Sequence, residues 1–460
     1  MQNLNEKPNM ARLLAERLRA AGGRAFFVGG YVRDRVLAEH GRSFGKSDDV
    51  DVEVYGLHPS ELREVLSEFG NVFAIGESFG VYTIGGTGLE ISMPRKERAT
   101  GIGHRDFEVH VNPFMTYEDS LLRRDFTVNA MLADCLTGEL IDPYGGVRDA
   151  KLGVLRHVND GTFVEDSLRL YRGCGFASRF GMSIAEETVA LCSRMDDAAL
   201  PMERVFAELV KVLKLSDKPS LFFRELRRMG KLTNFFTETE GLIGCEQNPI
   251  YHPEGDVWNH TMLALDEAAL LRDKSANGWK LPLAALCHDL GKPASSTVDE
   301  DGKIRSIGHE VAGVEVARRQ LKRIVNDKRL IHYVLEMVRQ HMRPNMLARS
   351  QSSVYKTNVM FDECAYPEDL LLLSLADMRA SGGRGKADEL SAFLRQRLEI
   401  YKDYAMRPMV TGKDLIELGF TPGPTFPSMI KKARLDVLGG TAKSKIMANL
   451  LKEAVIRRDL

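Results

Sequence analysis

Two closely spaced acids and a run of histidines carry the chemistry this sequence could perform. Asp49-Val50-Asp51 puts two carboxylates on one face of an extended segment, because strand side chains alternate, and leaves Val50 and Val52 for a core. Neighbouring carboxylates repel, which raises a pKa unless a divalent cation compensates. Hard Mg²⁺ favours such oxygens together with substrate phosphates. The pair therefore predicts nucleotidyl transfer, in which a metal offsets charge on the attacking and leaving oxygens. A solvated acidic strand edge is the plain alternative. Glu53, on the same face, and Glu90, on a later strand, are candidates for a third carboxylate, and Glu90 is preferred.

Around these acids stand groups suited to a nucleotide. Gly29-Gly30 follows an apolar run and precedes a helix, so backbone amides and a helix N-terminus can approach phosphate, with Arg33 close by. A tight structural turn would read the same. Arg123-Arg124-Asp125 with Asn129 offers guanidinium forks for phosphate, and an acceptor and an amide for a ribose hydroxyl. A capped helix start with an ion pair is the alternative there. Asp166 and Arg169, three apart, are expected on one helical face, where a salt bridge is ordinary. Together they can also imitate a template base. Their carboxylate would accept from an exocyclic amine and their guanidinium would donate to ring acceptors, an edge that cytosine and adenine offer and guanine and uracil reverse.

Taken in order, VGGYVRD, DVDVEV, RRDFTVNA, DPYGG and EDSLRLYR resemble the class II tRNA nucleotidyltransferase and bacterial poly(A) polymerase family. The likeness runs from residue 26 to about 213, through ERVFAELVKVLK. It implies an α+β chain: a polymerase-beta-like head with a small mixed sheet, then all-α neck, body and tail. It also implies that Gly29, Gly30 and Arg33 hold the triphosphate, that Asp49 and Asp51 hold catalytic Mg²⁺, and that Arg124, Asp125 and Asn129 contact triphosphate and ribose. Asp166 and Arg169 would meet the base and select CTP and ATP for addition to tRNA, and Arg172, a turn further on, is a further nucleotide-binding candidate. The segment 94–111 resembles the loop such enzymes need to switch to ATP. The connection 38–48 is longer than the family's compact loop, and Glu53-Val54-Tyr55 stands where many members carry a Thr.

Six of the eleven histidines fall between positions 252 and 341. His260, then His288-Asp289, then Asp377 resemble the HD metal-dependent phosphohydrolase pattern. Adjacent His and Asp on one helix lie about 100° apart and converge on a metal only if other helices complete the shell. His309 and His341 are candidates for a second metal or a substrate phosphate, and Lys292 for neutralising a phosphoryl oxygen. The resemblance implies a divalent metal of open identity. It also implies phosphatase, 2'-nucleotidase and 2',3'-cyclic phosphodiesterase activity serving repair of tRNA 3' ends.

These groups need elements to position them. Strands are expected at 24–28, 49–55 and 88–93 and a helix at 31–39, after which helical periodicity dominates. The 460 residues divide into a head at 1–160, a neck and body at 161–245, an HD domain at 246–385 and a tail at 386–460, with the polar, proline-bearing run 246–255 read as a linker. Lys plus Arg (63) balances Asp plus Glu (64), so RNA affinity must come from local clusters. Residues 431–460 carry eight basic and three acidic side chains, and Lys211, Lys214, Lys218, Arg224, Arg227, Arg228 and Lys231 form a second cluster. Six scattered cysteines without a C-x-x-C pair argue against a disulfide framework or a thiolate zinc site. No apolar run spans a bilayer and the start lacks a secretory pattern, so a cytoplasmic protein, monomer or homodimer, is expected. The rivals are a poly(A) polymerase, an A-only or CC-only enzyme, an HD hydrolase with an RNA-binding head, and a nonenzymatic scaffold.

Overall fold

A computed structural model of the chain describes residues 6–42, 50–74, 80–99, 107–382 and 384–458. It divides into two compact units, Met1–Ser216 with Leu221–Asn234, and Asp217–Ser220 with Phe235–Leu460.

The first unit is built on RAFFV, which forms strand β1 (Arg24–Val28) at the predicted residues and is buried from Ala25 onward. β2 (Asp51–Tyr55) runs antiparallel beside it, with Val28 opposite Asp51. Val50, Val52 and Val54 are buried, as alternation requires. Asp49 lies outside the described residues. Besides a short parallel pair, Val154–Leu155 with Ser183–Ile184, the further strands are β3 (Val72–Ala74), β4 (Val81–Ile84), β5 (Glu90–Ser92), β6 (Arg95–Ala99), β7 (Phe107–Val111), β8 (Leu132–Asp134) and β9 (Leu140–Ile141). Seven of these form one sheet in the order β3-β4-β5-β2-β1-β8-β9. The β2–β5 pair is parallel and its neighbours antiparallel, so the sheet is mixed as expected. β6 and β7 pair as a separate two-stranded ribbon within the segment read as the ATP-switch loop, whose residues 100–106 lie outside the described ones.

Helices α1 (Glu6–Ala20), α2 (Gly30–Glu39) and α3 (Pro59–Ser67) belong to this sheet layer. After α4 (Tyr117–Leu121) a 3-10 turn, Thr127–Asn129, leads into β8, and α5 (Gly146–Leu152) packs on that turn. A β-carbon on Gly146 would lie 2.3 Å from the carbonyl oxygen of Thr127, so only glycine permits the approach. Asp142 caps α5, its carboxylate accepting from the amides of Gly146 (2.6 Å) and Val147 (2.9 Å). The DPYGG signature thus fixes the turn that carries Asn129. Helices α6 (Asp160–Phe163), α7 (Leu168–Phe180), α8 (Glu186–Arg194), α9 (Met202–Leu215), α10 (Ser220–Arg228) and α11 (Thr233–Glu240) follow.

The second unit is helical apart from a small hairpin, β10 (Thr297–Val298) with β11 (Ile304–Arg305). Its centre is α13 (Lys280–Cys287), whose KLPLAALC is buried from Leu281 to Cys287. A helix apolar all round must be enclosed. Around it pack α12 (Val257–Leu271), α16 (Lys328–Gln340) and α19 (Pro367–Ala380). α14 (Lys292–Ser295), α15 (His309–Ile324), α17 (Met342–Arg349), α18 (Val354–Asp362) and α20 (Arg384–Ala405) complete the bundle. The tail, α21 (Gly412–Glu417), α22 (Phe426–Leu438) and α23 (Lys443–Arg458), gathers Val410, Leu415, Ala433, Val437, Ile446 and Leu450 into its own small core. No described helix is long and apolar enough to cross a membrane. No cysteine is paired with another; all are buried except Cys245, which is half-buried.

Candidate active sites

In the first unit, three chain segments meet at Gly29. Its φ of 63° is a left-handed value that side chains disfavour, and a β-carbon there would lie 3.7 Å from both Asp51 Oδ2 and Arg124 Nη1. The glycine turn, one acid of the pair and a guanidinium therefore face one another. Asp51 also stands in register beside Glu90 on β5, which puts both side chains on one face, with Glu90 exposed. Glu53 behaves differently. It is fully buried, its Oε1 accepts from the hydroxyls of Tyr55 (2.6 Å) and Ser120 (2.8 Å), and its Oε2 lies 3.4 Å from Arg124 Nη2. Burial and the charge of Glu53 push the Tyr55 phenol far above its ordinary pKa, so it remains a donor.

A second network holds the predicted ribose and phosphate residues together. Arg33 is buried over the rings of Phe176 and Phe180, with Nε on Asp34 (2.7 Å) and Nη1 donating to Asn129 Oδ1 (3.1 Å). Asn129 Nδ2 donates to Asp125 Oδ1 (2.9 Å), and Arg172 Nε donates to Asp125 Oδ2 (2.8 Å). Burial alone would raise the Asp125 pKa. Arg172, Asn129 and the Phe126 amide outweigh it and hold the carboxyl below its usual range.

Asp166 and Arg169 depart from expectation. Helix α7 opens at Leu168, so Asp166 precedes its first turn and the two do not share a helical face. Asp166 Oδ1 accepts the Leu168 amide (3.1 Å) and Oδ2 accepts from Arg204 (2.9 Å). Arg169 donates to the carbonyls of Thr162 (2.6 Å) and Arg123 (2.8 Å). Arg204, on α9, was not a sequence candidate. Its signal was its place inside ERVFAELVKVLK, flanking the buried stripe Val205, Leu209 and Val212.

The second unit gathers every predicted histidine. Four imidazoles surround Asp289, and each has Nδ1 tied down: His288 to Ala285 O (2.7 Å), His309 to Ser306 O (2.6 Å), His341 to Val338 O (2.7 Å) and His260 to Glu254 Oε1 (2.7 Å). Every Nε2 then points inward. His260 Nε2 lies 3.0 Å from Asp377 Oδ1 and 3.3 Å from His288 Nε2, and His309 Nε2 lies 3.1 Å from His341 Nε2. Lys292 Nζ reaches Asp289 Oδ2 (2.7 Å) and Gln247 Oε1 (2.9 Å). Burial would depress His260, but Asp377 and Glu254 outweigh it and raise its pKa to about 9. Burial likewise opposes ionisation of Glu254, and the partner imidazoles of His252 and His260 bring it down to about 2.

The run 246–255 is a wall of this site rather than a linker, because it supplies Gln247, His252 and Glu254. Proline and polar content hid those contacts. The donor set fits a divalent cation: nitrogen and carboxylate ligands converge, and both Asp289 oxygens are buried without a well-aligned hydrogen bond.

Some of the predicted basic surface is spent internally. Lys211 pairs with Glu208, Arg228 with Glu186 and Glu225, Lys231 with Asp197, Arg434 with Asp362 and Lys443 with Asp414.

Residues 25–156 match the family described as Poly A polymerase head domain, 181–242 match the probable RNA and SrmB-binding site of polymerase A, and 257–380 match the HD domain. The multifunctional CCA protein of Halorhodospira halophila is 36% identical over 419 residues, covering 88% of this chain and 94% of its own. The chain belongs to the multifunctional CCA protein family. The member from Xanthomonas campestris pv. campestris strain B100 is 33% identical over 418 residues, covering 89% and 97%. In fold, this family member resembles the Bacillus stearothermophilus CCA-adding enzyme in complex with CTP (TM-score 0.65, 21% identity, 100% of each chain). It also resembles the Thermotoga maritima CCA-adding enzyme complexed with tRNA (TM-score 0.63, 19% identity, 97% and 95%). The HD match begins at residue 257, so Gln247, His252 and Glu254 of this chain lie ahead of it.

Proposed function

We propose that this chain adds C, C and A to the 3' end of tRNA from CTP and ATP without a nucleic-acid template. We propose further that its HD site hydrolyses phosphate esters at such ends, as a phosphatase, 2'-nucleotidase and 2',3'-cyclic phosphodiesterase. The observation that carries the first reading is the meeting of Asp51 and Arg124 at the left-handed turn of Gly29, in a chain of this family.

In this reading the Gly29 and Gly30 amides and the α2 N-terminus cradle the triphosphate, with Arg33 and Arg124 supplying positive charge. Asp49, Asp51 and Glu90 would hold Mg²⁺, which when bound lowers the charge barrier at the attacking and leaving oxygens. Asp125 and Asn129 meet the ribose, fixed by the Arg33–Asn129–Asp125–Arg172 network. Asp166 and Arg169 choose the base, with Asp166 keeping Arg204 on Oδ2 while a remaining lone pair accepts the exocyclic amine. Basic side chains of the body and tail that are not paired internally track the tRNA backbone, and the cytoplasm is the setting where that substrate is met.

In the second unit His260, His288, Asp289 and Asp377 would hold a divalent ion, which supplies an activated water for attack on phosphorus. Lys292 neutralises a phosphoryl oxygen, and Glu254 orients His260.

The deciding experiment supplies tRNA lacking its terminal CCA with CTP, ATP or both and sequences the products. CCA that stops after three additions supports the proposal, whereas runs of A from ATP alone would replace it with poly(A) synthesis. For the HD site, 2',3'-cyclic AMP is offered with Mg²⁺, Mn²⁺, Ni²⁺ or Co²⁺. Equal inertness of the natural chain and Asp289→Ala would end the hydrolase reading.

A further inference from the structure

We propose that the outer half of the HD cavity is a subsite for the last nucleoside of an RNA chain, in which Tyr251 and Met346 hold the base and Arg349 takes the phosphodiester on its 5' side. The inference deepens the hydrolase reading above and rests on it.

The cavity, about 470 Å³, has two chemically different ends. Its floor is the buried group of Asp289, His309, His341 and Asp377 with Lys292. Its mouth is lined by Tyr251, Ile307 and Met346, which are 60%, 80% and 61% exposed. Large apolar side chains on a surface are usually scattered singly. Here three from separate chain segments gather over one polar floor. A phosphate ion alone would leave that apolar rim in water, so the ligand carries a flat apolar part beyond its phosphate.

Helix α17 sets the direction. Met342, Asn345, Met346 and Arg349 fall at i, i+3, i+4 and i+7, one helical face, and all four line the cavity. The helix starts beside His341, and Asn345 is locked to the floor, donating from Nδ2 to Asp377 Oδ2 (2.8 Å) and accepting from the Ser374 hydroxyl (2.5 Å). Arg349 stands one turn further out, about 6 Å along the axis, and side chains lean toward a helix N-terminus, here back toward the cavity. Lys292 is already occupied by Asp289 and Gln247, and the rim acid Glu310 lies 3.7 Å from His309 Nδ1. Arg349 differs: it is exposed, and among the described residues no hydrogen bond or ion pair holds its guanidinium. An unspent guanidinium fork at a cavity suits a phosphate.

The shape of a nucleotide matches this layout. A ribose carries its 2' and 3' oxygens on one edge and its base and 5' carbon on the other. With a 2',3' phosphate on the floor, base and 5' phosphate must both emerge at the mouth. Tyr251 supplies an aromatic face for stacking, and Met346 and Ile307 supply apolar contact without hydrogen-bond readout, so every base should be accepted. The substrate class is then a cyclic or terminal 2' or 3' phosphate on an oligonucleotide, ahead of a free nucleotide.

The test offers the full chain three cyclic phosphates with the same reacting ring: cytidylyl-adenosine 2',3'-cyclic phosphate, 2',3'-cyclic AMP, and glycerol 1,2-cyclic phosphate, which has no base. Ring opening is followed by phosphorus NMR with Mg²⁺, Mn²⁺, Ni²⁺ or Co²⁺. kcat/KM should fall in that order. Tyr251→Ala should lower both nucleotide substrates relative to the glycerol ester by about 10- to 100-fold, through lost stacking, and Tyr251→Phe should keep the preference. Arg349→Ala should lower the dinucleotide relative to 2',3'-cyclic AMP by about 10-fold. Because each effect is a ratio, partial loss of folded protein does not imitate it. Ratios that both alanine variants leave unchanged overturn the subsite while the hydrolase reading stands, and a change in only one overturns the role given to the other. Failure of the natural chain to open any of the three rings overturns the hydrolase reading as well.

Discussion

Gly291 and His309 meet backbone to backbone: a β-carbon on Gly291 would stand 2.1 Å from the His309 carbonyl oxygen and 2.5 Å from the Gly313 amide nitrogen. The HDLGK motif therefore needs its glycine to let the first turn of α15 close on the Asp289 segment. Gly291→Ala should push His309 away from Asp289 and cost about 1–3 kcal/mol of stability, as overpacking does. Cyclic-nucleotide hydrolysis should collapse while nucleotide addition by the same preparation persists. Undiminished hydrolysis would show that His309 need not sit where it does.

Glu90 and Glu53 separate by experiment as they do by burial. Glu90 is exposed beside Asp51, so Glu90→Gln should lower nucleotide addition by roughly 10- to 100-fold with little change in stability, the scale of groups that support metal ligands. Glu53 is the buried acceptor for Tyr55, Ser120 and Arg124, so Glu53→Ala should destabilise by about 3 kcal/mol or more through uncompensated buried charge. Thermal unfolding and single-nucleotide incorporation, measured on both variants, check the pair. The reverse pattern would make Glu53 the third carboxylate.

Much of this was legible because the signals were local. RAFFV followed by Gly-Gly reads as a strand and a turn, and β1 forms at those residues. Alternation in DVDVEV buries the valines, and HD at the end of an apolar helix locates the candidate metal site. What stayed hidden depended on tertiary approach. Glu254 looks like linker composition until α12 brings His260 to it. Asp166 looks helical until Ser167 proves to be the cap. Arg204 gains meaning only when α9 lies against the start of α7, 38 positions away in the chain.

Arg204 gives a prediction about base choice. Its pair with Asp166 is partly exposed, so losing it should cost less than about 1 kcal/mol of stability. The pair does, however, hold the carboxylate proposed to read the exocyclic amine. Arg204→Ala should lower discrimination of CTP and ATP against UTP and GTP by about 10-fold, equivalent to about 1.4 kcal/mol. Competitive single-turnover incorporation measures this, and unchanged selectivity would remove Arg204 from the selection machinery.

Arg172 and Asp125 give a signed dependence on pH. Because the folded-state pKa of Asp125 lies below its unfolded value of about 3.9, the pair stabilises the fold fully above that value. That contribution is lost as pH falls through the folded pKa. Arg172→Ala strands a buried carboxylate, at a cost of about 3–5 kcal/mol near neutrality. The deficit relative to the natural chain should therefore be greatest near pH 7 and shrink below about pH 4, where protonation of Asp125 relieves the variant. Hydrogen exchange of the amides from 123 to 130, followed at several pH values, reports on this segment without averaging over the second unit. A deficit that stays constant between pH 7 and pH 3 would mean that Arg172 stabilises the fold through its packing on Phe176 rather than through Asp125.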